Sequence, residues 1–288
     1  MSISVITPVF NRALLVYELY ESLMSQQSYD FEWVIIDDGS TDNLKEVIDK
    51  IASTSPFKII YRYKKNGGKH TALNIGIEMS SFNWIFIVDS DDILTPNAIA
   101  LANEKIQAIV DDKCKGMVFL RGYKTTKEIV GKAETIENIS LEKFAGTKGD
   151  KALIIKRDSL LKNQFPVFDG ENFITEALVW NSILENGYFK YFNEIIYYSE
   201  YLPGGLTSNY TDLLRKNING TMAFVINNLN LKGLGINVIK QTVFHFIPIF
   251  NISNLIVVKK KTKFTVFVLF ITCLFLVKIK NKVKGKSL

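Results

Sequence analysis

The chain has 288 residues, 47% of them hydrophobic and only 6 of them proline, which suits one large α/β domain with an appendage, or two small domains, and excludes global disorder. Its net charge of +6 hides a division: residues 213–288 hold thirteen Lys and Arg and no acid, whereas residues 1–212 hold 22 basic against 29 acidic residues. A mildly acidic body with a basic apolar tail is not the charge pattern of a nucleic-acid-binding domain.

In chain order, "ISVITPV" (3–9), "EWVIID" (32–37), "FKIIYRY" (57–63) and "WIFIVD" (84–89) read as buried strands. Residues 12–26, 43–53 and 70–80 between them carry helical spacing. Such alternation predicts right-handed βαβ units and a mainly parallel sheet with helices on both faces. Ligands in such sheets sit beyond the carboxyl ends of the strands, where this chain places "TPVFNR", "DDGSTD", "KKNGGKH" and "DSDD". The first residues read as a strand rather than an export signal, since no basic stretch precedes an apolar one.

Further on, a helix is expected from Pro96 with Thr95 as its N-cap. Strands follow at 116–123 and 151–157, a helix at 174–186 and an aromatic-rich strand at 188–198. "LPGGLTSN" and the change in charge mark a boundary near 205–215. The two apolar runs of the tail, 243–258 and 264–277, are each shorter than the roughly 18–20 residues of a spanning helix. Flanking lysines suit a peripheral or shallowly inserted anchor; a pair of buried helices or an oligomer interface is the alternative. Cys114 and Cys273 are far apart and unlike in context, so no disulfide framework is expected and a reducing cytosol fits. His70 and His245 have no Cys or second His at ligand spacing, which argues against zinc.

Asp89, Ser90, Asp91 and Asp92 close an apolar strand. Clustered carboxylates there need a cation among them, and hard oxygen ligands select Mg2+ or Mn2+ shared with substrate phosphates. A solvated helix start, where the dipole favours Asp, is the plainer reading. Asp38 follows another buried strand, where a carboxylate can accept the imide N–H of uracil; an Asp-Gly turn is the alternative. "NGG" at 66–68 is either a hairpin turn or a phosphate-side loop. Trp33 and Trp84 suit the core, and Trp180 either the core or a sugar-stacking platform.

The ordered set "SVITPVFNR", "WVIIDDGSTDN", "NGGKHTALNIGI" and "IFIVDSDDILTPNAI" resembles the nucleotide-sugar half of glycosyltransferase family 2, with a Rossmann-like GT-A fold. "FPVFDGENFITEALVWNSI" and "YYSEYLPGGLTSNY" resemble the acceptor half of bacterial members that build surface polysaccharides. The resemblance covers about residues 3–215 and implies halves at 1–95 and 96–212, with the helical tail at 213–288. It implies that Thr7, Pro8, Phe10, Asn11 and Arg12 line the base and ribose pocket and that Asp38 binds the base. It further implies Lys69 near the diphosphate, Asp89 and Ser90 at the ribose, and Asp89 with Asp91 at the metal. Two positions depart from the pattern: Leu73 stands where many members have Arg, and Ala177 follows Glu176 where many have Asp.

Inverting transfer needs a carboxylate to take the acceptor hydroxyl's proton, and the resemblance points to Glu176, with Asp169 or Glu171 as alternatives. The expected protein is a metal-dependent glycosyltransferase using Mn2+ or Mg2+ and a nucleotide-sugar donor, a UDP-sugar first. Its acceptor is a glycan or lipid-linked saccharide, and its place the cytoplasmic face of the cell membrane, held through residues 243–286. "EYLPGGLTSN" (200–209) is the candidate lid over the donor. The rival readings are a sugar nucleotidyltransferase, against which the absence of an N-terminal Gly-rich loop speaks, and a non-catalytic nucleotide-sugar binder.

Overall fold

The computed structural model describes residues 2–200 and 209–283. Most of the candidate lid therefore lies outside the described residues. The first third contains β1 (Ile3–Val9), α1 (Ala13–Met24), β2 (Phe31–Asp37), α2 (Leu44–Ala52), β3 (Lys58–Tyr63), α3 (Lys69–Met79) and β4 (Trp84–Ile87). Strands β3, β2, β1 and β4 lie side by side and run parallel. The central strands are apolar along their length because helices cover both faces.

Alternation along β1 decides which helix each side chain meets. Ile3, Val5 and Val9 share one core cluster with Val16, Leu19 and Leu23 of α1 and Leu44, Ile48 and Ile51 of α2. Ile6, on the opposite face, meets α3, where a Cβ on Gly76 would lie 2.6 Å from Ile6 Cγ2. Gly76 thus lets α3 lie directly on the sheet.

The chain continues with β5 (Ile93–Leu94), α4 (Ala98–Gln107), β6 (Cys114–Tyr123), β7 (Asn138–Ile139), α5 (Leu141–Ala145), β8 (Lys151–Lys156), α6 (Arg157–Lys162), α7 (Ala177–Leu184) and β9 (Tyr188–Ser199). The sheet order is β3-β2-β1-β4-β8-β6-β9-β5, with β7 also paired to β9. β8 runs antiparallel to β4 and β6, whereas β6 and β9 are parallel. Helix α4 starts later than the sequence suggests. Ile93 and Leu94 pair with β9, and Thr95 N donates to Ile196 O at 3.0 Å, so the chain stays extended and Asn97 becomes the N-cap.

Two compact units result. The first comprises Met1–Ile139, Lys148–Gln164 and Gly187–Tyr201 and contains the sheet. The second comprises Ser140–Thr147, Phe165–Asn186 and Leu202–Leu288. Its helices are α5, α7, α8 (Tyr210–Lys216), α9 (Ile218–Asn230), α10 (Ile236–Phe246), α11 (Ile252–Lys261) and α12 (Phe264–Val283).

Carboxylates tie the second unit together at helix starts. Glu171 accepts from Asn219 N at 2.7 Å and Gly220 N at 2.8 Å, and Glu142 from Asn237 N at 2.9 Å. Each satisfies N–H groups that a first helical turn leaves open and complements the helix dipole. The apolar run 243–258 is not one segment. Val243, His245, Phe246 and Ile249 are buried, Pro248 sits in a 3-10 turn, and α11 restarts after the Asn251 cap. Among the described residues, no helix is long and apolar enough to cross a membrane. Cys114 and Cys273 are both free and buried.

Candidate active site

The loop after β2 is built around a buried carboxylate. Asp38 is 4% exposed; it accepts from Gly67 N at 2.9 Å and Gly68 N at 2.8 Å and pairs with Lys64. Asn66 Nδ2 donates to the Asp38 backbone oxygen at 2.8 Å. Gly68, at φ +89°, occupies a region that side chains disfavour, and it turns the chain into α3. Asp38 therefore shapes the "NGG" loop in this conformation, with both carboxylate oxygens engaged. The neighbouring Asp37 accepts from Ser40 N at 2.7 Å and Tyr61 Oη at 2.6 Å.

That turn delivers Lys69, the first residue of α3, to the end of β4, where its Nζ lies 2.5 Å from Asp89 Oδ1. Arg12, the N-cap of α1, reaches Asp91 Oδ2 at 2.6 Å. Asn11 holds the turn before it: its φ is +52°, its N donates to Ser40 Oγ at 2.9 Å, and its Oδ1 accepts from Thr41 N at 2.7 Å. Each carboxylate of the D-x-D pair thus has its own cation. Ser90 is buried between them, and Phe10 is exposed beside Asn11. Thr7 is not presented at this edge: it is fully buried, and its Oγ1 accepts from Trp33 Nε1 at 2.9 Å. Pro8 is half-buried. Leu73 is fully buried, so a cation there would point into the core.

Four contributors were not singled out in the sequence. Lys64 is one; Arg121 of β6, Tyr197 of β9 and Lys124 are the others. Arg121 lies 3.7 Å from Asp92 Oδ2 and 4.0 Å from Asp89 Oδ2, with its guanidinium 4.0 Å from the Tyr197 ring centroid. Tyr197 Oη donates to Asp92 Oδ2 at 2.7 Å and accepts from Asp89 N at 3.0 Å. Lys124 Nζ donates to Asp91 O at 2.5 Å. A charge inside the apolar run "GMVFLRGY" was the available signal for Arg121.

These neighbours split the carboxylates. Burial raises the Asp89 pKa, but the charges of Lys69 and Arg121 outweigh it and hold the group below its usual value. Asp92 is pushed up to about 7 by burial and by the nearby Asp89 charge. Among the described residues, no group of three or more His, Cys, Asp or Glu is placed to hold a metal ion by itself. Asp89 and Asp91 fit as a partial ligand set, because Mg2+ and Mn2+ take substrate phosphates and waters for the remainder. Each already faces a cation, so the pair is charge-matched to a positive group.

In the second unit Glu176 is the half-buried N-cap of α7. Beside it, Thr175 Oγ1 lies 3.0 Å from Tyr210 Oη, which is 2.8 Å from His245 Nε2. His245 Nδ1 faces Gln241 O at 2.8 Å; a carbonyl only accepts, so Nδ1 carries the proton and Nε2 accepts from Tyr210. Glu171 is committed to capping α9, and Asp169 is exposed. Trp180 is core: it is buried and packs edge-to-face on Phe165 at 6.0 Å.

A parallel-to-mixed α/β sheet that gathers a D-x-D strand end and four cations at one edge defines a GT-A glycosyltransferase. The chain belongs to glycosyl transferase family 2, whose model matches residues 4–156, more than half of its length. It is 25% identical over 256 residues to glycosyltransferase GlyG of Streptococcus pneumoniae, covering 83% of this chain and 84% of that protein. Other curated relatives match over shorter stretches: 108 residues, 36% of each protein, for an uncharacterized glycosyltransferase of Mycoplasma pneumoniae, and 99 residues, 34% of this chain and 14% of the relative, for one of Rickettsia bellii. Among solved structures it resembles S. aureus TarS 1-349 in complex with UDP-GlcNAc: TM-score 0.63, 19% identity, covering 86% of this chain and 72% of that one. It also resembles mannosyltransferase PcManGT from Pyrobaculum calidifontis in complex with GDP-Man and Mn2+: TM-score 0.58, 16% identity, 95% and 79% covered. The membership sets aside the nucleotidyltransferase reading.

Proposed function

We propose that this glycosyltransferase moves a sugar from a UDP-sugar, with inversion and with Mn2+ or Mg2+, onto a glycan or lipid-linked acceptor in cell-surface polysaccharide synthesis. The observation that carries the reading is the pairing of Asp89 with Lys69 and Asp91 with Arg12 at the carboxyl edge of the sheet. Two carboxylates on one segment and two cations from two others match a diphosphate and its divalent ion. Asp89 and Asp91 would hold the metal, which when bound acts as a Lewis acid on the diphosphate leaving group. Lys69 and Arg12 would meet the phosphate oxygens, Arg in a fork geometry. Phe10, Pro8 and Asn11 would border the nucleoside, and Asp38 would serve it through the loop it shapes. Glu176 would accept the proton of the attacking hydroxyl. Uridine is favoured by the UDP-GlcNAc bound to TarS, whereas the GDP-Man of PcManGT makes guanosine the alternative.

A membrane address at the cytoplasmic face belongs to the same proposal. It is supported by the exposed Phe264, Val268, Phe275, Leu276 and Ile279 of α12, which share one side of that helix at 100° per residue. Lys259, Lys260, Lys261 and Lys263 lie just before it, and no acid follows Asp212. Apolar side chains beside lysines suit an anionic bilayer surface. The deciding experiment is nucleotide release from UDP-, GDP- and dTDP-sugars, with Mn2+ and with chelator. Release from a UDP-sugar that chelator abolishes supports the reading, and release indifferent to chelator removes the metal from it.

A further inference from the structure

We propose that Lys69 and Arg12 are interchangeable counter-ions: each occupies a D-x-D carboxylate until a divalent cation displaces it, and is then handed to the donor's diphosphate. The inference rests on the proposed metal and donor reading and deepens it. Lys69 Nζ lies 2.5 Å from Asp89 Oδ1 and Arg12 reaches Asp91 Oδ2 at 2.6 Å. Those oxygens are the ones a metal would need. A carboxylate in contact with an ammonium or guanidinium cannot give the same lone pair to a metal, so the two compete for it.

Both cations stand at helix beginnings, Lys69 as first residue of α3 and Arg12 as N-cap of α1. Their side chains are 28% and 32% exposed, so each has room to swing away from its carboxylate. Arg121, by contrast, lies over the Tyr197 ring between Asp89 and Asp92 and is only 17% exposed, which leaves it less room to move away. Of the three cations that face the carboxylates of this cluster, one is thus confined and two are mobile. Metal binding alone should be weakened, because it must first open two ion pairs. Metal with a diphosphate should bind strongly, because the displaced cations find new partners.

The magnitude follows from competition. A pair closed about nine-tenths of the time lowers the apparent metal affinity about tenfold. Removing the cation removes that competition. Removing an exposed charge that makes no contact with these carboxylates changes affinity far less, because water and salt screen it. Lys65 supplies this control: it carries the same charge close by in sequence and is exposed to solvent.

The test is titration of the full chain with Mn2+ alone, followed by electron paramagnetic resonance of free Mn2+, for wild type, Lys69→Met, Arg12→Met and Lys65→Met. Circular dichroism confirms that each variant is folded. The expected result is an affinity about tenfold tighter in Lys69→Met and Arg12→Met than in Lys65→Met. The second readout is the factor by which Mn2+ tightens UDP, measured by calorimetry, which is reciprocal with the effect of UDP on Mn2+. It should shrink in Lys69→Met and Arg12→Met, which have no cation to hand over. If wild type takes up neither Mn2+ nor UDP, the donor reading itself fails. If wild type binds both, but Lys69→Met and Arg12→Met bind Mn2+ no tighter than Lys65→Met, the exchange is overturned and the donor reading stands.

Discussion

Tyr197 carries Arg121 over its ring: the guanidinium lies 4.0 Å from the ring centroid, and the phenol bridges Asp92 Oδ2 and the Asp89 backbone N–H. Tyr197→Phe keeps the ring beneath Arg121 and removes only the bridge. A hydrogen bond to a charged or buried partner contributes about 1.5–3 kcal/mol. The variant should lose stability on that order and bind Mn2+-UDP more weakly, as read by denaturant midpoint and calorimetry. Unchanged UDP affinity would mean that the bridge does not position Asp89.

The loop built on Asp38 offers a second measurement. Asp38→Ala leaves Lys64 without its carboxylate and the N–H groups of Gly67 and Gly68 without acceptors. Breaking one side of a buried pair costs about 3–5 kcal/mol. Limited proteolysis should find new cleavage at residues 64–68 in the variant, and UDP binding should fall with it. A variant as protease-resistant as wild type would show that other contacts hold the loop.

Two acids in the second unit should separate cleanly. Glu176→Gln removes the proposed base and should lower transfer about 10²- to 10⁴-fold while donor affinity holds. Glu171→Gln should cost stability of about 0.5–2 kcal/mol through its cap on α9, with a much smaller effect on transfer. If the two variants exchange these outcomes, the base has been assigned to the wrong carboxylate.

His245 makes a prediction about acid. Its ring is buried, tilted against Phe224 at 4.1 Å, and burial pushes its pKa down to about 4. The unfolded chain would titrate near 6.5, so between those values the unfolded state binds more protons. The contribution is complete above about pH 6.5 and is lost as the pH falls toward 4. Integrated, that is about 3 kcal/mol. Urea midpoints of wild type minus His245→Gln should converge as pH drops from 7 to 4.5, and parallel curves would contradict a buried neutral imidazole.

Membrane attachment is open to direct measurement by sedimentation with vesicles. Wild type should pellet with vesicles containing phosphatidylglycerol and be released by salt, since each lysine near an anionic surface contributes about 1 kcal/mol. Phe275→Ser with Leu276→Ser should reduce binding without changing nucleotide release. Equal pelleting with neutral vesicles would refute the charge component.

Much of the layout at the carboxyl edge of the sheet was legible in the sequence because it is local. Apolar runs such as "WVIID" announce strands, the polar residues after each announce an edge, and D-x-D carries its own chemical demand for a cation. The ordered motifs fixed the family. What tertiary structure decided is pairing at long range. Only the folded sheet shows that Asp89 takes Lys69, that Asp91 takes Arg12, and that Arg121 and Tyr197 arrive from strands more than thirty and a hundred residues on. Thr7 turned inward because strand alternation, not its neighbours in sequence, sets its side, and the run 243–258 split because Pro248 sits in a 3-10 turn and Asn251 caps a new helix, while His245 packs on Phe224 of α9. Hydrophobic period and turn chemistry are written within a few residues, whereas the partner of a buried charge is chosen by whichever segment the fold brings against it.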